Sequence, residues 1–334
     1  MAKVTKSGSD DQVVKTGIVA TLRRQAEQSL AFASLIAIII FFTIAGTGFM
    51  SWDNIDGILL STAVTGMLAI GTTFVIITGG IDLSIGTGMS LAAVLTAESL
   101  TKFHMPLVMG LIVGVASGAL IGAINGIMIT MLKLPPFIAT LAMMLAAKGL
   151  ALVLSGVAPV YLDTVKGWGS IATGMWIPNF PNAVLILFIF AVIASVILNR
   201  TIVGRYTFAI GSNEEATKLS GVSVTKWLII IYTIGGAFTG IAGILLTSRL
   251  SSAQPALGQG YELEAIAAVI IGGTSLLGGK GSILGTMIGA LIMATLVNGL
   301  RIMEIHQEWQ SVVVGAVIVV AVYADTLRRR RSGV

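Results

Sequence analysis

The sequence predicts an all-α, polytopic membrane protein of about ten transmembrane helices, with glycine-rich breaks and a candidate internal repeat. Three observations predict it. Of 334 residues, 55% are hydrophobic and only 10% charged, with a mean hydropathy of +0.96, far from the roughly 25% charge of a soluble domain. Apolar runs long enough to cross a bilayer as helices follow one another along the chain. Two similar glycine-rich segments, far apart in the chain, interrupt those runs. Cysteine is absent, which excludes disulfides, thiolate chemistry and Cys-based metal sites.

Residues 1–29 read as a polar, partly basic tail expected to be disordered. The run 30–50 carries no charge, is too long for a signal-peptide core and lacks a small-residue cleavage site, so it reads as a retained first span. Further spans are expected at about 55–78, 84–100, 107–131, 136–155, 183–198, 227–247, 262–277, 283–300 and 309–325. They make a membrane domain over 30–327, followed by a basic tail at 328–334. With the N-terminus inside, fifteen of the twenty Lys and Arg fall in cytoplasmic segments, among them Lys133, Arg200, Arg205, Lys218, Lys226, Lys280 and Arg328–Arg331. Cytoplasmic loops keep such residues, so both termini are expected in the cytoplasm. The net charge of +5 is spread over tails and short loops, which argues against a nucleic-acid surface.

Within the spans, Gly110, Gly114, Gly118, Gly122 and Gly126 recur every four residues and form one ridge that admits a close helix neighbour. A shorter ridge, Gly281, Gly285 and Gly289, is expected in span nine, and Gly236 with Gly240 in span seven. The interval 199–226 is the longest charged stretch between apolar flanks. Ser212 or Asn213 can cap a short helix there, with Glu214 and Glu215 complementing its dipole and Gly221 ending it. Such a helix gives a partner in the water something to grip.

The glycine-rich breaks, GGIDLSIGTG at 79–88 and GGTSLLGGKG at 272–281, align without gaps and share five positions. They suggest an internal duplication with both breaks on one side of the membrane. Broken backbone at membrane depth needs protein or a water-filled cavity around it, so Asp82, Ser84, Thr274 and Ser275 are candidates for a pathway or its gate. Asp82 could equally cap span three. Asn125, Thr140, Met144 and Gln254 are further pathway candidates, while Lys148 can snorkel, and Glu262 and Glu264 read as caps of span eight. TSLLGGKG is not a phosphate loop, because Thr274 and Gly281 stand where a Gly and a hydroxyl residue are required. His104 and His306 lack a paired metal-ligand spacing, and no catalytic constellation emerges.

Four segments together resemble one family: ITGGIDLSIG, FIATLAMMLAAKGL, GRYTFAIGSNEEATKLSGV, and the long run from SRLSSAQPALGQGYELEA to GGTSLLGGKGSILGTMIGALI. The chain is similar to the membrane permease subunits of ribose-type ATP-binding-cassette sugar importers over almost everything after the N-terminal tail. The resemblance implies residence in the bacterial cytoplasmic (inner) membrane and import of ribose or a related monosaccharide. It also implies a second permease chain, expected as a homodimer, an external sugar-binding protein and a cytoplasmic ATPase. That ATPase would bind ATP and Mg; no cofactor, metal or catalytic residue is expected in this chain. Gly211, Ser212, Asn213, Glu214, Glu215, Ala216 and Leu219 match the family's ATPase-coupling segment. The segment 156–182, with Trp168, Trp176, Pro178 and Pro181, would suit an interfacial anchor or a docking surface for the binding protein. The rival reading is a self-contained secondary transporter or channel for a small polar solute, which needs its own coupling-ion site.

Overall fold

A computed structural model describes residues 31–330; the tail at 1–29, residue 30 of the first expected span and the last four residues of the basic tail lie outside the described residues. The helices are α1 (Ala31–Ala45), α2 (Trp52–Ile77), α3 (Ile85–Thr101), α4 (Leu107–Thr130) and α5 (Pro136–Leu154), then α6 (Trp168–Ala172), α7 (Asn182–Arg200), α8 (Ile202–Ser212) and α9 (Glu214–Leu219). After these come α10 (Val224–Leu250), α11 (Tyr261–Ile271), α12 (Ile283–Ile302) and α13 (Gln307–Arg330). Two short strands, β1 (Val160–Tyr161) and β2 (Ser252–Ala253), pair antiparallel.

Six of these helices, α2, α4, α5, α7, α10 and α12, are long and apolar enough to cross a bilayer. That is fewer than the ten expected spans, because several apolar runs are cut short. The expected span 262–277 becomes the eleven-residue α11, which stops where Gly273 takes φ +88°. Helix α3 has 17 residues, and the apolar part of α13, like α1 as far as the described residues show it, is shorter than a full crossing as well. The handle holds one helix more than expected: extended backbone at Thr201 separates α7 from α8.

Local chemistry sets the ends. Ser51 caps α2 by accepting from Asn54 N at 3.4 Å, Pro136 opens α5, and Ser282 caps α12 by accepting from Gly285 N at 3.3 Å. Helix α2 lies at the centre, where Met67, Leu68, Ile70 and Phe74 pack with Phe238 and Tyr232 of α10, Leu187 of α7, Ala268 of α11 and Met293 of α12. The rings of Phe74 and Phe238 stack at 6.4 Å.

The long glycine ridge runs against this centre. Each of its five glycines is buried. A Cβ on Gly118 would meet the Gly236 carbonyl, one on Gly236 the Gly118 carbonyl, and one on Gly122 the Tyr232 carbonyl, so α4 and α10 touch backbone to backbone. Gly285 and Gly289 face Gly272, the cap of α11, and Ala268 within it in the same way. Gly281 does not belong to that ridge: it precedes α12 and lies in the break, against Ile77 and Thr274.

Trp168 is also not where the sequence places it. Trp176 is exposed, but Trp168 is fully buried with Leu91, Val94, Leu100 and Ile244. Burial of so large an apolar surface outweighs an interfacial position, and Ser248 of α10 pins the turn by donating to the Trp168 carbonyl at 2.6 Å and accepting from Ala172 N at 2.8 Å.

Candidate functional site

The two glycine-rich breaks meet. Gly279 N donates to the Ile77 carbonyl at 2.8 Å, so the end of α2 and the loop after α11 lie at the same end of the bundle. Helix–break–helix recurs, α2 to α3 and α11 to α12, but the gapless alignment is one residue out of register with the structure. Thr78 and Gly272 are the equivalent helix caps, and the left-handed residues that follow are Gly79 (φ +81°) and Gly273 (φ +88°). Chain direction reverses at those glycines, which is where a missing Cβ is needed. The helices restart after Ser84 and Ser282, so the second break is also the longer.

The first break is held by a buried polar knot. Asp82 Oδ1 accepts from Ser84 N at 2.8 Å and from Ser84 Oγ at 2.6 Å, and Asn125 Nδ2 of α4 donates to Ser84 Oγ at 2.8 Å and to Asp82 Oδ2 at 3.3 Å. Asp82 thus holds Ser84, the residue before α3, without bonding an amide of α3 itself, and also reaches across to Asn125 of α4. Thr140 Oγ1 of α5 donates to the Ile81 carbonyl at 3.3 Å. In the second break Ser275 N donates to the Lys280 carbonyl at 3.0 Å, and the buried hydroxyls of Thr274 and Ser275 meet no partner among the described residues.

Beside this junction stands the handle. Asn213, rather than Ser212, is the cap of α9, its side chain accepting from Ala216 N at 2.9 Å. Glu214 and Glu215 occupy the first turn and Gly221 (φ +82°) follows the last. Only Thr217 of α9 is buried; Glu214, Glu215, Ala216 and Leu219 face outward, Leu219 at 84% exposure. Near the end of α8, two residues before the α9 cap, Gly211 has no room for a Cβ, which would meet the Ile77 carbonyl and Gly279 N. The handle is therefore seated on the very hydrogen bond that joins the two breaks.

A cavity of about 580 Å³ opens under α9, walled by Glu214 and Lys218, by Thr78–Gly80 of the first break, by Lys133, and by Tyr232 of α10. Tyr232 is a residue that sequence reasoning missed. Its buried hydroxyl lies beside Gly80 with no described partner. It stands four residues before Gly236 and eight before Gly240, on the same helical face as that glycine pair, a spacing that could have found it.

Other sequence candidates lie elsewhere. Met144 is one turn beyond Thr140 on α5, and Gln254 is exposed just after β2. Lys148 donates to Gln259 Oε1 at 3.1 Å. Glu262 caps α11 as expected, accepting from Gly260 N at 3.0 Å, whereas Glu264 turns instead to Thr65 of α2.

Residues 54–322 match the model of a family described as branched-chain amino acid transport system / permease component. The chain is 40% identical to a ribose import permease protein of Haemophilus influenzae over 88% of its length and 92% of the relative's. It is 43% identical to that of Bacillus subtilis, over 88% and 91%. A xylose transport system permease protein of Escherichia coli is 35% identical over 90% and 92%. No solved structure matches the chain.

Proposed function

We propose, from the premise that this chain belongs to the family of transport-system permease components and within it to the ribose-type permeases, that it is the membrane-spanning subunit of an ATP-driven importer of ribose or a closely related pentose. Two copies form the pore. An external binding protein delivers the sugar, and a cytoplasmic ATPase, which holds the ATP and Mg, docks on α9. The multi-pass chain sits in the inner membrane with α9 and both termini in the cytoplasm, the orientation favoured by its Lys and Arg distribution.

One observation carries the reading: the outward-facing helix α9 follows directly on α8, whose Gly211 is in contact with the Ile77 carbonyl and Gly279 N. A push on α9 by a partner is passed through packed backbone to both breaks at once, because neither Gly211 nor the loop at Gly278 and Gly279 has a side chain that could yield. The polar knot at Asp82, Ser84 and Asn125 gives the first break a defined resting geometry from which to be displaced.

The test is reconstitution. The pure permease is expected to hydrolyse no ATP, whereas the permease with its ATPase and binding protein in proteoliposomes accumulates ribose at the expense of ATP. Stoichiometric turnover by the pure chain, or sugar uptake driven by an ion gradient without the ATPase, would overturn the assignment and favour a self-contained transporter.

A further inference from the structure

A polar stripe runs along one face of α2. Gly57, Ser61, Thr65, Ala69 and Thr73 follow at four-residue spacing and so lie above one another on the helix. Each polar group on this face meets a polar group from another helix. Arg249 Nη1 of α10 donates to Ser61 Oγ at 3.0 Å. Glu264 Oε2 of α11 lies 3.5 Å from Thr65 Oγ1. Thr73 Oγ1 and Thr286 Oγ1 of α12 are 2.7 Å apart, and both residues are fully buried. Asn298 of α12 faces Gly57, and its Oδ1 is buried with no described partner. Tyr261 and Arg301 lie within electrostatic reach of both Arg249 and Glu264.

Thr65 stands near the middle of α2, roughly 20 Å from either end at 1.5 Å per residue. A carboxylate at that depth is costly beside lipid and is retained where it faces a polar interior or a path. Arg249 and Glu264 are only half-buried, so both remain reachable, while the Thr73–Thr286 pair closes the stripe on the side towards α9. A guanidinium supplying donors and a carboxylate supplying acceptors, with two hydroxyls between them that do either, match a neutral polyhydroxylated solute. Two guanidinium groups, Arg249 and Arg301, and two carboxyl groups, Glu262 and Glu264, lie in this neighbourhood, so the region carries no strong excess of one sign that would select an ion over an uncharged ligand.

We propose that Arg249 and Glu264, with Ser61 and Thr65, form a transit site at which both charged groups exchange the α2 hydroxyls for hydroxyls of the passing monosaccharide. The proposal rests on the reading of the chain as a sugar permease. Its test uses the complete transporter in proteoliposomes with ribose, comparing sugar moved per ATP hydrolysed. Glu264→Gln and Thr65→Val are each expected to lower that ratio about tenfold, the size of one lost charge-assisted hydrogen bond. Thr65→Ser, which returns the hydroxyl, recovers most of the loss.

Because the chain has no cysteine, Ser61→Cys gives one thiol per permease chain, and its labelling is read on the separated permease so that thiols of the other subunits do not contribute. Its labelling by a membrane-impermeant thiol reagent in the assembled transporter is expected to slow at least several-fold with ribose and its binding protein at saturation, a readout that does not depend on the other variants folding. Parental sugar-per-ATP ratios in both variants, or a Ser61→Cys thiol that is unreactive or indifferent to ribose, overturn the transit site alone. A parent transporter that moves neither ribose nor xylose overturns the functional reading instead.

Discussion

At the scale of the residue, Asn213 and the carboxylates behind it decide whether α9 exists as a helix and what it presents. Its cap bond to Ala216 N is one of few interactions holding a six-residue helix with a single buried side chain. Asn213→Ala should cost about 1 kcal/mol of local helix stability, and Asn213→Ser nearly nothing. The alanine variant is expected to insert normally but to lose ATPase affinity, read as weaker pull-down at unchanged membrane yield, while the serine variant behaves as the parent. Glu214→Lys with Glu215→Lys places two cations at a helix N-terminus at a local cost of about 0.3–1 kcal/mol each, too little to unfold the bundle. Since both side chains are exposed, docking or coupled hydrolysis should fail first. Normal pull-down, hydrolysis and uptake in that double variant would mean these carboxylates are merely solvated.

At the scale of the element, the α4–α10 contact is set by what glycine lacks. Gly122→Leu drives a side chain into the Tyr232 carbonyl, and backbone yields less readily than a side chain, so the cost should reach or exceed the roughly 1–3 kcal/mol of ordinary overpacking. Gly149→Leu on α5 is the matched control, with nothing within 4 Å of the new Cβ. Thermal unfolding in detergent should separate the two variants by many degrees, and equal midpoints would show that the ridge is not a tight interface. The five-glycine ridge and the cap residues of α9 were legible in the sequence, because helical spacing and capping are local rules. The register of the two breaks was not: pairing like with like aligned Gly79 with Gly272, while the chain reversal falls on Gly79 and Gly273. Trp168, too, was misplaced, since its burial depends on Ser248, eighty positions away. Nor could periodicity separate Glu262, a cap, from Glu264, which reaches across to α2.

At the scale of the whole molecule, passage of a solute requires helices to part somewhere, and the Thr73–Thr286 pair marks the seam between α2 and α12 nearest the breaks. With hydroxyl oxygens 2.7 Å apart, Thr73→Cys with Thr286→Cys places two sulfurs within bonding reach, in a chain with no other thiol. Oxidised, the double variant is expected to dock its ATPase yet move no sugar, and reduction should restore uptake. Undiminished transport with the disulfide formed would put the opening at another seam. The glycine interlocks point the same way, for α4 with α10 and α11 with α12 are each joined too closely to slide, so that relative motion falls between these pairs rather than within them. The α4–α10 interlock also bears on how such a chain can drift. Most packing defects can be repaired by shrinking the neighbour, but where Gly118 and Gly236 each receive the other's carbonyl, neither residue has anything left to remove. A saturation mutagenesis library selected for growth on the sugar should therefore yield no second-site rescue on the facing helix, and these two positions should remain glycine in every survivor.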